Sequence, residues 1–111
     1  MEINKEQAFN PIKQDTSKGK LRFYHSPSLV NYGAIPQTYE DPAATDALVV
    51  RYKGDGDPLD VIDISDAIPR TGDVYAIRVV GALAMVDGDE LDWKIVGIAM
   101  SDPLADEVHG M

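Results

Sequence analysis

The sequence predicts a mainly β fold, a barrel or sandwich forming a single domain over residues 1–111, and three observations lead there. Short runs rich in β-branched and aromatic residues recur along the chain, clusters of Gly, Pro, Asp and Ser divide them, and no stretch carries the apolar period of an amphipathic helix. The first run, "LRFYH" (21–25), follows the turn-forming "SKGK", and its approach places Lys18, Lys20 and Arg22 at alternate positions, hence on one face of a strand. Such a face can meet an anion, or simply guard a sheet edge with charge. Residues 37–46, "QTYEDPAATD", read as a loop; Tyr32 and Tyr39 flank Gly33 and Pro36 before it, and their ordinary place is the core with the hydroxyl satisfied. "ALVVRYK" (47–53) and "DVIDI" (60–64) are the next strands, joined by "GDGDP". "VYAIRVVGALAMV" (74–86) is the longest, and Gly81 within it marks a bend or bulge. After the turn "VDGDE", "WKIVGIAM" (93–100) closes the series.

Composition narrows the function. The 111 residues suffice for one modest core, and 10 basic against 19 acidic residues give a net charge of −9, which repels nucleic acid. An OB-type nucleic-acid module would want a basic groove with exposed stacking aromatics, and this chain has eight aromatics in all. There is no cysteine, so neither disulfides nor thiolate metal sites enter. The apolar runs are too short to span a bilayer as helices, and "MEINKEQ" lacks the regions of a signal peptide, which makes a cytoplasmic location the default. His25 and His109 have no ligand-like spacing and read as surface residues.

The chemistry concentrates in carboxylates. "GDGDPLDVIDISD" (54–66) holds five aspartates, with Asp55, Asp57 and Asp60 inside six residues; this density asks for cations, donors or water in compensation. A solvated acidic loop is the plain alternative. An EF-hand is excluded, because Asp60 stands where that loop needs Gly and Asp66 where it needs Glu. A hard cation such as Mg²⁺ takes oxygen ligands and keeps several waters, so a few aspartates suffice. A second cluster, "DGDELDWK", carries Asp87, Asp89, Glu90 and Asp92, and strand alternation puts Asp92 and Lys94 on one face. Its own plain reading is a solvated hairpin turn.

Taken together, "NPIKQDTSKGKLRF", "NYGAIPQTYEDP", "DGDPLDV" and "DWKIVGIAMSDPLA", in this order, resemble the soluble family I inorganic pyrophosphatases of eukaryotic type. The resemblance implies an OB-like closed or partly closed β-barrel that hydrolyses pyrophosphate to two phosphates with water activated by Mg²⁺. It implies Asp57 as general base with Tyr32 hydrogen-bonded to it. Asp55, Asp60, Asp87, Asp92 and Glu2 are implied as metal ligands, and Arg22 and Lys94 as phosphate contacts. Ser28 stands about where the family has a further tyrosine. The resemblance also implies an incomplete domain, lacking C-terminal helices with a Lys-Tyr phosphate-binding pair and an upstream strand, which leaves an organelle open as the location; a homodimer is the candidate assembly. The alternative is a non-catalytic OB-like module that holds metal or a partner without turnover.

Overall fold

The structure is a computed structural model that describes residues 2–23, 26–43, 45–46 and 49–107, so the readings of His25 and His109, and the ends of the runs 21–25 and 47–53, fall outside it. The described residues form ten strands: β1 (Glu2–Ile3), β2 (Ile12–Lys13), β3 (Thr16–Ser17), β4 (Lys20–Leu21), β5 (Asn31–Ala34), β6 (Thr45–Asp46), β7 (Val49–Gly54), β8 (Asp60–Asp63), β9 (Ile77–Asp87) and β10 (Glu90–Ala99). One 3₁₀ turn follows, Pro103–Asp106, whose first amides are capped where Leu104 N–H donates to Asp102 Oδ1 at 2.9 Å.

β10 organises the molecule. Antiparallel β9 covers one edge, returning through the two-residue turn 88–89, with a register shift at Val96/Gly97 that leaves Val80 unpaired one residue from Gly81. The bulge expected near Gly81 is therefore present. Along the other edge lie two parallel partners in tandem: β7, pairing Lys53 and Gly54 with Glu90 and Leu91, and then β8, pairing Asp60 to Asp63 with Lys94 to Gly97. Asp92 and Trp93 fall in the gap between them, opposite the aspartate loop 55–59. β5 adds to β8 and β6 to β7, both antiparallel, giving a six-stranded sheet beside the pairs β1–β2 and β3–β4. The result is mainly β and, among the described residues, a partly closed barrel rather than a continuous ring.

The core is thin. Val61, Leu91, Ile98, Ala99 and Ala105 are its buried apolar residues, while Val79, Leu83 and Met85 of β9 stay about half exposed. The chain presents 8467 Å² of surface, where a compact protein of its mass presents about 6,000 Å². Its radius of gyration of 15.0 Å likewise exceeds the roughly 13 Å of a compact chain this long.

Two expectations are corrected. Among the described residues of "LRFYH", 21–23, only Leu21 is in a strand. Lys18 and Gly19 both take left-handed φ (54° and 76°), which makes a tight turn between two-residue arms whose side chains are all exposed. With no face to bury, the ladder stops after two pairs, and Lys18 lies in the turn instead of on a strand face with Lys20 and Arg22. Residues 37–46 are mostly a loop, but end in β6, and Tyr39 is 64% exposed rather than in the core.

Candidate active site

The tandem arrangement of β7 and β8 builds the site. β7 must end and the chain must cross to β8 within five residues, and that crossing is the aspartate loop. Asp55 Oδ1 accepts the Asp57 amide at 2.9 Å, an Asx turn, and Gly56 takes φ +76°, where a side chain would be strained. Segment 35–40 braces the loop. Ile35 N–H donates to Leu59 O, Leu59 N–H to Thr38 Oγ1, Glu40 N–H to Asp57 O and Gly56 N–H to Glu40 O, all at 2.8–2.9 Å. The fit is close: a Cβ on Gly54 would stand 2.5 Å from Glu40 O.

Pairing register then sets one face. Tyr32 lies opposite Ile62, two residues from Asp60; Asp60 lies beside Lys94; Asp92 is two residues before Lys94 on β10. Lys94 Nζ donates to Tyr32 Oη at 2.5 Å and to Asp60 Oδ2 at 2.6 Å, and pairs with Asp92 Oδ2 at 2.8 Å. Burial would lower the Lys94 ammonium, but bonds to Asp60, Asp92 and Tyr32 outweigh it and hold the group above the ordinary lysine range. Burial and the adjacent Asp60 raise Tyr32 to about 12 against the opposite pull of Lys94.

A groove of about 690 Å³ opens beside this face, and Glu2, Arg22, Ser28, Tyr32, Asp57 and Asp60 line it. Arg22 is held by Asp15, Nη1 to Oδ2 at 3.0 Å. Burial and then the Asp15 charge raise Glu2. Asp57 Oδ1 receives Lys5 Nζ at 2.5 Å, and the same ammonium donates to Gly56 O at 3.2 Å. The bond to Asp57, outweighing burial, raises the Lys5 ammonium. Tyr32 makes no hydrogen bond with Asp57 among the described residues; its hydroxyl is taken by Lys94.

From Asp92 the carboxylates continue: Asp55, Asp92 and Glu40 bring oxygens within 4.8 Å of one another. Glu40 is buried, its Oε1 accepting the Trp93 amide at 3.1 Å across the gap between β7 and β8. Burial, then the charges of Asp55 and Asp92, push it up to about 7. Glu40 Oε2 and Asp92 Oδ1 are buried without a protein partner. An all-oxygen donor set with two orphaned buried acceptors fits a hard divalent cation and its waters. Asp60 is engaged by Lys94 rather than grouped with these three. Asp87, opposite Glu90 at the base of the hairpin, shares the face of Asp92 without joining the cluster.

Sequence reasoning missed Glu40, Lys5 and Asp15. Glu40 lies inside the quoted "TYEDP", but its partners are 53 residues away at Trp93 and on the aspartate loop, and nothing in local spacing points to them.

Fold and site together define a mainly β, partly closed barrel that gathers carboxylates and cations around an open groove. The family profile described as "Inorganic pyrophosphatase" matches residues 1–111, and the chain belongs to that family. It is 48% identical to the inorganic pyrophosphatase of Neurospora crassa over 97% of its own length and 39% of the relative's. To the soluble inorganic pyrophosphatase 6, chloroplastic, of Arabidopsis thaliana it is also 48% identical, over 98% of its length and 36% of the relative's. Among solved structures, the type I inorganic pyrophosphatase of Toxoplasma gondii superposes with a TM-score of 0.90 at 46% identity, covering 100% of this chain and 49% of that one. The N-terminal domain truncated vacuolar soluble pyrophosphatase of Trypanosoma cruzi, solved in complex with PPi, gives 0.88 at 40% identity over 98% and 41%. The chain thus spans less than two fifths of these curated relatives.

Proposed function

We propose that this chain carries the hydrolytic site of an inorganic diphosphatase acting on pyrophosphate. The observation that supports the reading best is that Glu2, Arg22, Tyr32, Asp57 and Asp60 line one groove in a member of this family, whose aspartate loop also brings Asp55 together with Asp92 and Glu40. In the reaction, water attacks one phosphorus, a P–O bond to the water oxygen forms, the bridging P–O bond breaks, and two phosphates leave. Asp57 is the base that accepts the water's proton. Its Oδ2 has no partner among the described residues, and Lys5 fixes the carboxylate's orientation through Oδ1. Arg22, oriented by Asp15, is the groove cation that meets phosphoryl oxygens, and Lys94, whose three donors are taken by Tyr32, Asp60 and Asp92, meets phosphate on exchanging one of them. Asp55, Asp60, Asp87 and Asp92, with Glu2 on the substrate side, would hold divalent cations, which we take to be Mg²⁺ and which would neutralise charge and make water more acidic.

A cytoplasmic location and a homodimer belong to the same proposal. The half-exposed apolar side chains of β9 support a protein partner, and sedimentation decides it. No helix among the described residues is long and apolar enough to cross a membrane. Release of phosphate from pyrophosphate, with and without Mg²⁺, tests the function. In protein that turns over, Asp57→Asn lowers kcat about 10²-fold or more with a smaller change in metal affinity. Metal binding with no phosphate release in any preparation would instead support the non-catalytic module.

A further inference from the structure

Glu40 is fastened on every side. Its amide donates to Asp57 O, its carbonyl accepts from Gly56, its backbone lies against the open Cα of Gly54, and its Oε1 takes the Trp93 amide at a point where the edge of β10 away from β9 has no strand beside it. The side chain is thus a plug between β7 and β8 that ties the aspartate loop to β10. A brace of this kind needs one acceptor oxygen, and an amide or hydroxyl would serve. Glu40 brings a second oxygen, which is buried without a protein partner in a residue only 7% exposed, and its carboxylate offers an oxygen within 4.8 Å of carboxylate oxygens of Asp55 and Asp92. Asp92 Oδ1 is orphaned in the same way. Two unpartnered buried acceptors among like charges are costly, and a divalent cation with its waters satisfies both.

We propose that Glu40 forms the inner wall of the divalent-cation site, its Oε2 reaching the cation or a water of its shell and so positioning Asp55 and Asp92 around it. This rests on the reading that these carboxylates hold divalent cations. The rival is a brace alone, in which Glu40 shares a proton with Asp55 and has no part in binding metal.

Glu40→Gln separates the two, since it keeps the Oε1 acceptor and the shape, offers an N–H to Asp55, and removes only the charge and the second acceptor. Calorimetric titration of the 111-residue chain with Mg²⁺ or Mn²⁺ alone should show a 10- to 100-fold weaker dissociation constant for the variant, the range for residues that orient metal ligands. Thermal unfolding adds a sign that a brace cannot give. In chelator the variant should melt at or above wild type, because a like charge is gone, whereas in saturating Mg²⁺ its gain in Tm should be smaller than wild type's. Should Glu40→Gln not fold, Glu40→Asp, which keeps the charge but withdraws it by one methylene, should show the same weakening. Affinity within twofold of wild type, or a Tm loss equal in chelator and Mg²⁺, overturns the proposal. Wild-type protein that binds neither ion removes the underlying reading and the proposal with it.

Discussion

Asp63 lies on the face of β8 opposite Asp60, 3% exposed, and its replacement by alanine should be among the more damaging single changes in the chain. The carboxylate accepts Tyr75 Oη at 2.7 Å, Ser65 N at 2.9 Å and Ser65 Oγ at 2.5 Å, and Ser65 Oγ in turn accepts the Ala99 amide at 2.7 Å. It therefore ties the end of β8 to the end of β10 and to the segment before β9. Hydrogen bonds to a charged group contribute about 1.5–3 kcal/mol each, but removing the carboxylate also removes its desolvation cost. The net expected for Asp63→Ala is about 3 kcal/mol, or roughly 12 °C in Tm for a domain of this size. Asp63→Asn keeps one acceptor for Ser65 and lets the Tyr75 hydroxyl reverse, so it should cost about 1 kcal/mol. Burial raises the Asp63 carboxyl, but the bonds from Ser65 and Tyr75 prevail and the folded value lies below the ordinary 3.8. A depressed carboxyl contributes stability that is complete above its unfolded value and lost as pH falls through the folded one. Urea unfolding should therefore show a constant gap between wild type and Asp63→Ala from pH 7 to 5, narrowing below about pH 4. A gap under about 0.5 kcal/mol at pH 7, or one that widens on acidification, would refute the network's role.

Two further outcomes follow from the site. Asp60→Ala should weaken Mg²⁺ binding and also free Lys94 from its 2.6 Å partner, so calorimetry showing unchanged affinity and stoichiometry would count against Asp60 as a ligand. Gly54→Ala would set a methyl 2.5 Å from Glu40 O, a backbone atom with little room to retreat; about 1–3 kcal/mol of destabilisation is expected by denaturant melt, and an unchanged midpoint would contradict the fit.

The long hairpin was legible because β9 and β10 each run ten or more residues on either side of a Gly-containing turn, and β8 because its β-branched pair Val61 and Ile62 stands beyond a turn-rich loop, although its second inward position is the buried Asp63. Strands β1 to β4 were not, since two residues are too few for any period to appear. Turn geometry at Lys18 and Gly19, not β propensity, decided the fate of "LRFYH". Of the site, the aspartate loop announced itself by its density of like charge, and the pairing of Asp92 with Lys94 by alternation. Lys5 and Glu40 stayed hidden because each takes its role from partners outside its own stretch, Lys5 from Asp57, and Glu40 from the aspartate loop and from Trp93.

The tandem seating of β7 and β8 along one edge of β10 also bears on the order of folding. β9 and β10 are neighbours in sequence and can zip from their turn, whereas the parallel contacts join Asp60 to Lys94 across 34 residues and must await closure of a long loop. The carboxylates meet only once both strands have docked side by side. An ion that needs several of them at once has nothing to hold in the early chain, so its effect falls on how slowly the finished protein opens rather than on how quickly it forms.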